Sequence, residues 1–266
     1  MKIGIAGLGA IGAAVARRLG AGGVPGASLV AVASGDRNKA RATLGAELAH
    51  VDVVGLGELA AAADVVVECA PARVFAEVLR PALAAGKKVV TLSVGALLAH
   101  DDLIELARTS GGQIIVPTGA LLGLDAVSAA AEGTIHSIRM VTRKPPKGLA
   151  GAPYLVENGI EIDGIAAPLR VFEGTARQAA KGFPANLNVA VALSLAGLGP
   201  DRTRLEIWAD PTVTRNTHRI VVDSDAARID MTIENIPSEN PRTGRITPLS
   251  VIAALRKMTA PLRVGT

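Results

Sequence analysis

The chain has 266 residues, which allows one large domain or two modest ones. Its 28 Lys and Arg residues exceed its 24 Asp and Glu residues only slightly, and they are scattered, so we expect no nucleic-acid binding. The lone Cys69 excludes an intramolecular disulfide and a multi-cysteine zinc site, and no metal-ligand spacing of histidines and carboxylates occurs. There is neither a signal-peptide pattern nor a long apolar run, so we expect a cytoplasmic protein without membrane contact.

The first half of the sequence alternates short apolar runs with segments of helical spacing. The predicted strands cover 2–6, 28–34, 64–70, 87–93 and 113–118. The predicted helices cover 10–20, 74–85 and 101–110. This alternation predicts an α/β fold, a Rossmann-type doubly wound parallel sheet with helices on both faces.

The first predicted strand is followed by "GLGAIG", which contains Gly7, Gly9 and Gly12. In a strand–turn–helix unit, the first glycine permits the tight turn and the second lets a pyrophosphate approach the backbone. The third lets the helix pack closely on the strand. The start of the helix, with Ala10 and Ile11, then presents free N–H groups to the phosphates. We therefore predict a dinucleotide site here.

The choice between NAD and NADP depends on the residues after the second strand, "ASGDRNK". Asp36 is the candidate to bind the ribose 2′-hydroxyl of NAD. Arg37 beside it could instead accept the 2′-phosphate of NADP, so both cofactors stay open. A second interpretation of Asp36 is that it caps the helix that follows.

The loops after the third and fourth strands read "ECAP" (68–71) and "LSVGAL" (92–97). Because ligands of open α/β sheets bind at the carboxyl ends of strands, we expect Cys69, Ala70 and Ser93 to lie near the cofactor. We interpret Cys69 as a small buried thiol, since no basic partner or second cysteine is near it in sequence.

From about residue 118 the pattern changes to period-two strands, which predicts a second α+β domain on a mostly antiparallel sheet with one face covered. The predicted strands cover 134–144, 168–174, 204–210, 218–224 and 228–235, and the predicted helices cover 175–183, 186–197 and 248–258. We expect a dinucleotide-binding domain over 1–117 and a substrate and dimerisation domain over 118–245. The C-terminal helix, within 246–266, is expected to pack back on the first domain.

Several polar residues of the second half stand in apolar surroundings. Asn186 is suited to cap a helix, which leaves Asn188 for a ligand. Arg143 and Lys144 in "TRKPP" are suited to an anionic substrate, or are a solvated pair before a proline turn, and Arg242 is similar. His218 is either a packed strand residue or an acid–base group, a role that histidine performs near neutral pH.

These segments together resemble the L-aspartate dehydrogenase family. The matching segments are "GLGAIG" (7–12), "VECA" (67–70), "SVGAL" (93–97), "TGALLGLDA" (118–126), "TRKPP" (142–146), "FEGTAR" (172–177), the "FPANLNVA" region (183–199), "ADP....N.H" (209–218) and "ENP.T" (239–243). Two places depart from the family pattern. Gly244 stands where the family often has serine, and "SGD" (34–36) is not the family's usual sequence after the second strand.

The resemblance implies NAD(P)-dependent oxidation of L-aspartate to iminoaspartate, which hydrolyses to oxaloacetate and ammonia, and the reverse amination. It implies a homodimer, cofactor contacts from Ala120 and Asn188, and His218 as the catalytic acid–base group, which also touches the substrate. Asn186, Arg143 and Lys144 are further substrate candidates.

Two other functions share parts of this pattern. Homoserine dehydrogenase, dihydrodipicolinate reductase and sugar dehydrogenases also join a Rossmann domain to an α+β domain, and fold alone does not separate them. A non-catalytic dinucleotide sensor would keep the glycine turn but would not need His218, Asn188 and the "TRKPP" cations together.

Overall fold

The computed structural model describes residues 1–184, 187–238 and 244–265. The chain divides into two compact units, the first formed by Met1–Gly119 with Thr247–Arg263 and the second by Ala120–Ile246. The sequence predictions for Asn186 and Arg242 fall outside the described residues. Within the described ranges, no helix is both long and apolar enough to cross a membrane.

The first unit is built on a six-stranded sheet of order β3-β2-β1-β4-β5-β6, and every pairing is parallel. The strands are β1 (Lys2–Ala6), β2 (Ser28–Ala33), β3 (Asp52–Val54), β4 (Val65–Glu68), β5 (Lys88–Thr91) and β6 (Gln113–Ile115). The helices are α1 (Ala10–Gly20), α2 (Arg37–Leu44), α3 (Leu56–Ala62), α4 (Phe75–Ala84), α5 (Val94–Leu97) and α6 (Asp101–Ser110). The predicted Rossmann-type fold is confirmed.

Both faces of this sheet are buried, because its strands consist almost entirely of small and β-branched residues. Alternate residues of β1 point to opposite sides, so Ile3 and Ile5 enter one hydrophobic cluster and Ala6 enters the other. Gly4 also faces the second side, where a Cβ would lie 2.9 Å from Leu59 Cδ1. Helix α3 can therefore pack closely on the centre of the sheet.

The second unit is built on a five-stranded sheet of order β11-β10-β7-β9-β8. Its strands are β7 (Ile135–Lys144), β8 (Leu169–Thr175), β9 (Arg204–Ala209), β10 (Asn216–Ser224) and β11 (Arg228–Asn235). Its helices are α7 (Leu124–Ala131), α8 (Pro153–Glu157), α9 (Ala176–Gly182) and α10 (Asn188–Ala196). The predicted mostly antiparallel sheet is confirmed, with β7 and β9 as a parallel pair.

The last helix, α11 (Ile246–Thr259), contributes to the first unit from Thr247 onward. Val251 and Leu255 are fully buried and belong to the same hydrophobic cluster as Ile3 and Ile5. The Arg256 guanidinium donates a hydrogen bond to the Gly23 carbonyl oxygen, which fixes the end of the helix on this unit.

One face of the second sheet packs against the helices, and the other carries charged residues. Ile138 and Met140 of β7 and Ile220 of β10 are fully buried in the core of this unit. The opposite face holds cross-strand ion pairs, such as that of Arg219 with Asp230 at 2.6 Å. This separation follows from the alternation of side chains along each strand.

Candidate active site

The glycine turn after β1 is shaped by close backbone approaches. Gly7 has φ of +90°, a region that favours glycine, and a Cβ there would lie 2.6 Å from the Cys69 carbonyl oxygen. A Cβ on Gly12 would overlap the Gly7 carbonyl oxygen, whereas a Cβ on Gly9 would meet nothing within 4 Å. Gly7 and Gly12 therefore fix the turn, and Gly9 leaves open space above it.

The N-terminus of α1 fits the phosphates of a dinucleotide. Gly9 is its N-cap residue and offers no side chain to the first-turn N–H groups, which include those of Ala10 and Ile11. These groups carry the positive end of the helix dipole, to which pyrophosphate binds in related folds.

A cavity of about 580 Å³ lies beside this turn, a volume within the usual range for small-molecule sites. Its lining residues come from the ends of β1, β2 and β4 and from α2, and include Gly7, Leu8, Gly9, Ser34, Gly35, Lys39, Ala40, Thr43, Leu56, Cys69, Ala70, Pro71, Arg73 and Val74. The three features fit a bound dinucleotide: a glycine turn, an uncapped helix and an adjacent cavity.

Asp36 caps α2, as the second interpretation of the sequence proposed. Its Oδ1 accepts a hydrogen bond of 2.9 Å from the Lys39 backbone N–H. Among the described residues that line the cavity, neither Asp36 nor Arg37 is present, whereas Ser34 and Gly35 are. The ribose role of Asp36 and the phosphate role of Arg37 remain predictions.

Glu68, which ends β4, is a site residue that the sequence analysis missed. Its carboxylate is fully buried and accepts five hydrogen bonds. Oε1 receives those of Ala70 N (3.0 Å) and Ser93 Oγ (2.9 Å). Oε2 receives those of Thr91 Oγ1 (2.7 Å), Leu92 N (3.2 Å) and Ser93 N (3.0 Å). One carboxylate thus connects the loops after β4 and β5. The sequence signal for Glu68 was an acidic residue at the end of an apolar strand.

Cys69 and Ala70 line the cavity, and Ser93 is held next to them by Glu68. Burial, and then the Glu68 carboxylate, raises the pKa of the Cys69 thiol well above its usual range. Because the thiolate is the nucleophilic form, this thiol is unreactive near neutral pH.

The second unit has a cluster of buried polar side chains at one end of its helix-covered face. His218 lies opposite Thr142 on β7, and its Nδ1 is 3.1 Å from Thr142 Oγ1. Two residues before His218 on the same strand, Asn216 of β10 lies opposite Asn235 of β11. Lys144 ends β7 on the same face, and each of these five side chains belongs to a residue less than a tenth exposed.

The electrostatics of this cluster favour neutral imidazole. Burial, and then the positive charge of Lys144, lowers the pKa of His218 to about 3. Burial also lowers the pKa of Lys144 to about 8. At neutral pH His218 is therefore uncharged, and Lys144 is mostly protonated and close to titration.

Arg143 lies on the other face of the sheet, because adjacent residues of a strand point to opposite sides. Its Nη1 donates to Asp210 Oδ2 at 2.9 Å, and its guanidinium lies 4.8 Å from the centre of the Trp208 ring. The structure thus brings Lys144 together with His218, but not Arg143.

Ala120 and Asn188 differ in their relation to the cluster. The Ala120 carbonyl oxygen accepts a hydrogen bond of 2.9 Å from Asn235 Nδ2, so this loop is attached to β11. Among the described residues, Asn235 Oδ1 is buried without a hydrogen-bond partner. Asn188 is the exposed first residue of α10. Asn235, Asn216 and Thr142 were not among the site residues predicted from the sequence.

Comparison with known proteins matches both units to families. The family profile described as "Aspartate dehydrogenase, C-terminal" matches residues 125–258, and "Homoserine dehydrogenase, NAD binding domain" matches residues 7–117. The L-aspartate dehydrogenase of Bradyrhizobium diazoefficiens is 60% identical over 266 residues, covering 100% of this chain and 94% of the relative. The chain belongs to the L-aspartate dehydrogenase family. L-aspartate dehydrogenase 3 of Bordetella bronchiseptica is also 60% identical (100% and 98% covered), and the Methanosarcina acetivorans enzyme is 39% identical (100% of both).

Solved structures support the same fold for this member of the aspartate dehydrogenase family. Aspartate dehydrogenase from Thermotoga maritima has a TM-score of 0.76 at 22% identity, covering 100% of this chain and 99% of that one. Scyllo-inositol dehydrogenase from Lactobacillus casei, solved with NAD(H) and scyllo-inositol, has a TM-score of 0.56 at 16% identity, covering 97% and 88%. The chain is thus an NAD(P)-dependent oxidoreductase, and the family and the NAD cofactor that the sequence predicted are confirmed.

Proposed function

We propose that this chain catalyses the reversible oxidative deamination of L-aspartate to iminoaspartate, which hydrolyses to oxaloacetate and ammonia. The observation that carries the proposal is the buried pair of His218 and Lys144 at the polar end of the second sheet, in a chain of the aspartate dehydrogenase family. Bound NAD supplies the hydride acceptor for the reaction.

Lys144 is proposed to bind a substrate carboxylate. A buried ammonium group attracts an anion strongly because little water screens it. The carboxylate would in turn hold Lys144 protonated, since an opposite charge nearby favours the charged form. Arg143, which faces the other side and pairs with Asp210, is left out of this proposed site.

His218 is proposed as the acid–base group. The amino group of the substrate must lose a proton before its lone pair can form the C=N bond as hydride leaves Cα. His218 takes this proton and releases it to solvent, so that in the hydrolysis step it can take a proton from the attacking water. Its pKa of about 3 without substrate is too low for this task. A bound carboxylate beside Lys144 would cancel the positive charge that helps to lower it, and Thr142 orients the ring.

The cofactor half of the site is proposed on the glycine turn. The N–H groups at the start of α1, with Gly7, Gly9 and Gly12, are suited to bind the pyrophosphate. Further contacts with the cofactor are proposed for Ala10, Ile11, Cys69, Ala70, Ser93, Ala120 and Asn188.

The proposal is tested by His218→Asn, compared with His136→Asn, which changes an exposed histidine of β7. We expect the His218 variant to lose roughly 10²- to 10⁴-fold in kcat with L-aspartate. NADH binding and the thermal unfolding midpoint should be unchanged, and the His136 variant should match the wild type. Turnover of the His218 variant within a few-fold of the wild type would refute its role.

A substrate panel tests the reaction itself. The rate of reduced-cofactor formation is measured with L-aspartate, D-aspartate, L-glutamate and L-homoserine. L-Aspartate should give the highest kcat/KM, and faster oxidation of homoserine would identify a homoserine dehydrogenase-like enzyme instead.

A homodimer is proposed through the charged face of the second sheet, opposite the face that packs against the described helices. Val141, Trp208 and Val221 are only half-buried there, between ion pairs such as that of Arg219 with Asp230. Light scattering coupled to size exclusion should give twice the chain mass of 27.0 kDa, and Trp208→Glu should reduce it to that of one chain.

A further inference from the structure

Glu68 carries a buried negative charge that no positive side chain neutralises among the described residues. Its carboxylate is fully buried, and no lysine, arginine or histidine in the described part of the chain forms an ion pair with it. Its five partners are two hydroxyl groups and three backbone N–H groups, all of them uncharged. Because a backbone N–H can only donate, this arrangement fits the ionised carboxylate rather than the acid.

This charge lies behind the wall of the dinucleotide cavity. Cys69 and Ala70, the next two residues of the chain, line that cavity. The Ala70 backbone N–H donates to Glu68 Oε1 at 3.0 Å, so a single hydrogen bond joins the charge to the wall. The charge also acts on the Cys69 thiol, since burial and then the Glu68 carboxylate raise the pKa of that thiol well above its usual range. A negative group at this wall is thus disfavoured, and a positive group is favoured.

The cavity extends to both sides of β1, the strand that carries the glycine turn. Ser34 and Gly35, directly after β2, line it on the side where the adenosine half of a dinucleotide is expected. β4 is the neighbour of β1 on the other side, and the nicotinamide half is expected there because a dinucleotide binds across the point where the strand order reverses. Glu68 is the last residue of β4. Its charge therefore lies on the side where we expect the nicotinamide.

The nicotinamide ring is the part of the cofactor whose charge changes in hydride transfer. The ring is a cation in NAD⁺ and is neutral in NADH, whereas the rest of the molecule is the same. Two opposite unit charges about 10 Å apart, at an effective dielectric constant of about 20, attract strongly enough to change a dissociation constant roughly tenfold. A fixed carboxylate near the ring therefore favours the oxidised cofactor.

We propose that Glu68 sets the preference of this site for the oxidation state of its cofactor, because its charge stabilises bound NAD⁺ relative to bound NADH. Charge near the nicotinamide is one of the means by which a protein tunes this cofactor. Since Glu68 is fully buried, it acts through its charge and not by contact with the cofactor. Because binding and oxidation are linked, bound NADH is then a better hydride donor than free NADH. The inference rests on the dinucleotide cavity of the proposed function, but not on its amino-acid substrate.

The first test uses the wild-type chain, without L-aspartate, in isothermal titration calorimetry. The ligands are NAD⁺, NADH and benzamide adenine dinucleotide, a neutral analogue in which carbon replaces the charged ring nitrogen of NAD⁺. The wild type should bind NAD⁺ about tenfold more tightly than the neutral analogue. This comparison needs no variant, so it does not depend on whether a change at Glu68 is tolerated.

The second test compares three variants with the same ligands. Glu68→Gln should raise the Kd of NAD⁺ about tenfold more than the Kd of NADH or of the analogue, because it removes the charge. Glu68→Asp shortens the side chain but keeps the charge, so it should weaken all three ligands by a common factor and retain the preference for NAD⁺. Glu47→Gln, which removes an exposed carboxylate, should alter none of them.

Three results would overturn the inference. The first is wild-type binding of the neutral analogue as tight as that of NAD⁺, and the second is a common loss for all three ligands in Glu68→Gln. The third is loss of the preference in Glu68→Asp as well, which would assign it to the shape of the loop. A preference that disappears only in Glu68→Gln, in a chain that does not turn over L-aspartate, would sustain the inference and refute the proposed reaction, so the two failures are distinguishable.

Discussion

Replacement of Glu68 by glutamine changes one buried oxygen into an NH₂ group and removes the charge. If the amide oxygen keeps the three donors of Oε2, the new NH₂ group faces Ala70 N and Ser93 Oγ. The Ser93 hydroxyl can rotate and accept a hydrogen bond from the new NH₂ group, whereas the Ala70 N–H can only donate one. One partly buried backbone donor is therefore left unsatisfied, at a cost of about 1–3 kcal/mol, and the other bonds lose the strengthening that the charge provided.

A loss of about 2 kcal/mol corresponds to a fall of roughly 4–8 °C in the thermal unfolding midpoint for a chain of this size. We expect this fall for Glu68→Gln in differential scanning calorimetry. We also expect faster amide hydrogen exchange at Ala70 and weaker NADH binding, because the loop after β4 that the carboxylate holds lines the cofactor cavity. Glu47→Gln is the matched control, since Glu47 is exposed. If Glu68→Gln shifts the midpoint no more than this control, the hydrogen-bond argument is wrong.

Two further predictions concern the glycine turn and Lys144. Gly12→Ala should lower the free energy of unfolding by about 1–3 kcal/mol, because its Cβ meets the Gly7 carbonyl oxygen, and should weaken NADH binding. Gly9→Ala, whose Cβ meets nothing, should weaken NADH binding while the midpoint stays near that of the wild type, and an equal loss of stability would contradict this reading. Succinate, which has two carboxylates but no amine, should inhibit competitively with a Ki that rises as pH passes about 8, where Lys144 loses its proton. Lys144→Met should remove this pH step, and an unchanged step would assign it to another group.

The fold was predictable because its signals are local and repeated. Apolar runs of four or more residues alternate with helical spacing, and "GLGAIG" marks the first turn. β3, only three residues long, gave no such signal, because periodicity needs more residues to be recognised. α3 and α7 consist largely of alanine and leucine without a clear polar face, so they were not separated from their surroundings.

The site was predictable only in part. Every second residue of β7 points to the same side of the sheet, and this alternation was not used in the prediction. Lys144 lies an even number of residues from Ile138 and Met140, so it shares their buried face, whereas Arg143 does not. His218 lies two residues from Ile220 on β10 and shares its buried face in the same way. Four of the five Glu68 hydrogen bonds were not predictable, because they join residues that are 23 to 25 positions apart. The capping role of Asp36 and its ribose role require the same residue at the same place, so the sequence left both interpretations open.

The discontinuous first unit has a consequence for how the protein is made. Its hydrophobic cluster combines Ile3 and Ile5 with Val251 and Leu255, residues from the two ends of the chain. During synthesis the N-terminal strands therefore leave the ribosome long before the helix that completes their burial. Until that helix arrives, part of the apolar surface around Ile3 and Ile5 lacks its final cover. The last helix is thus the step that completes the nucleotide-binding unit, although it is remote from the glycine turn in sequence.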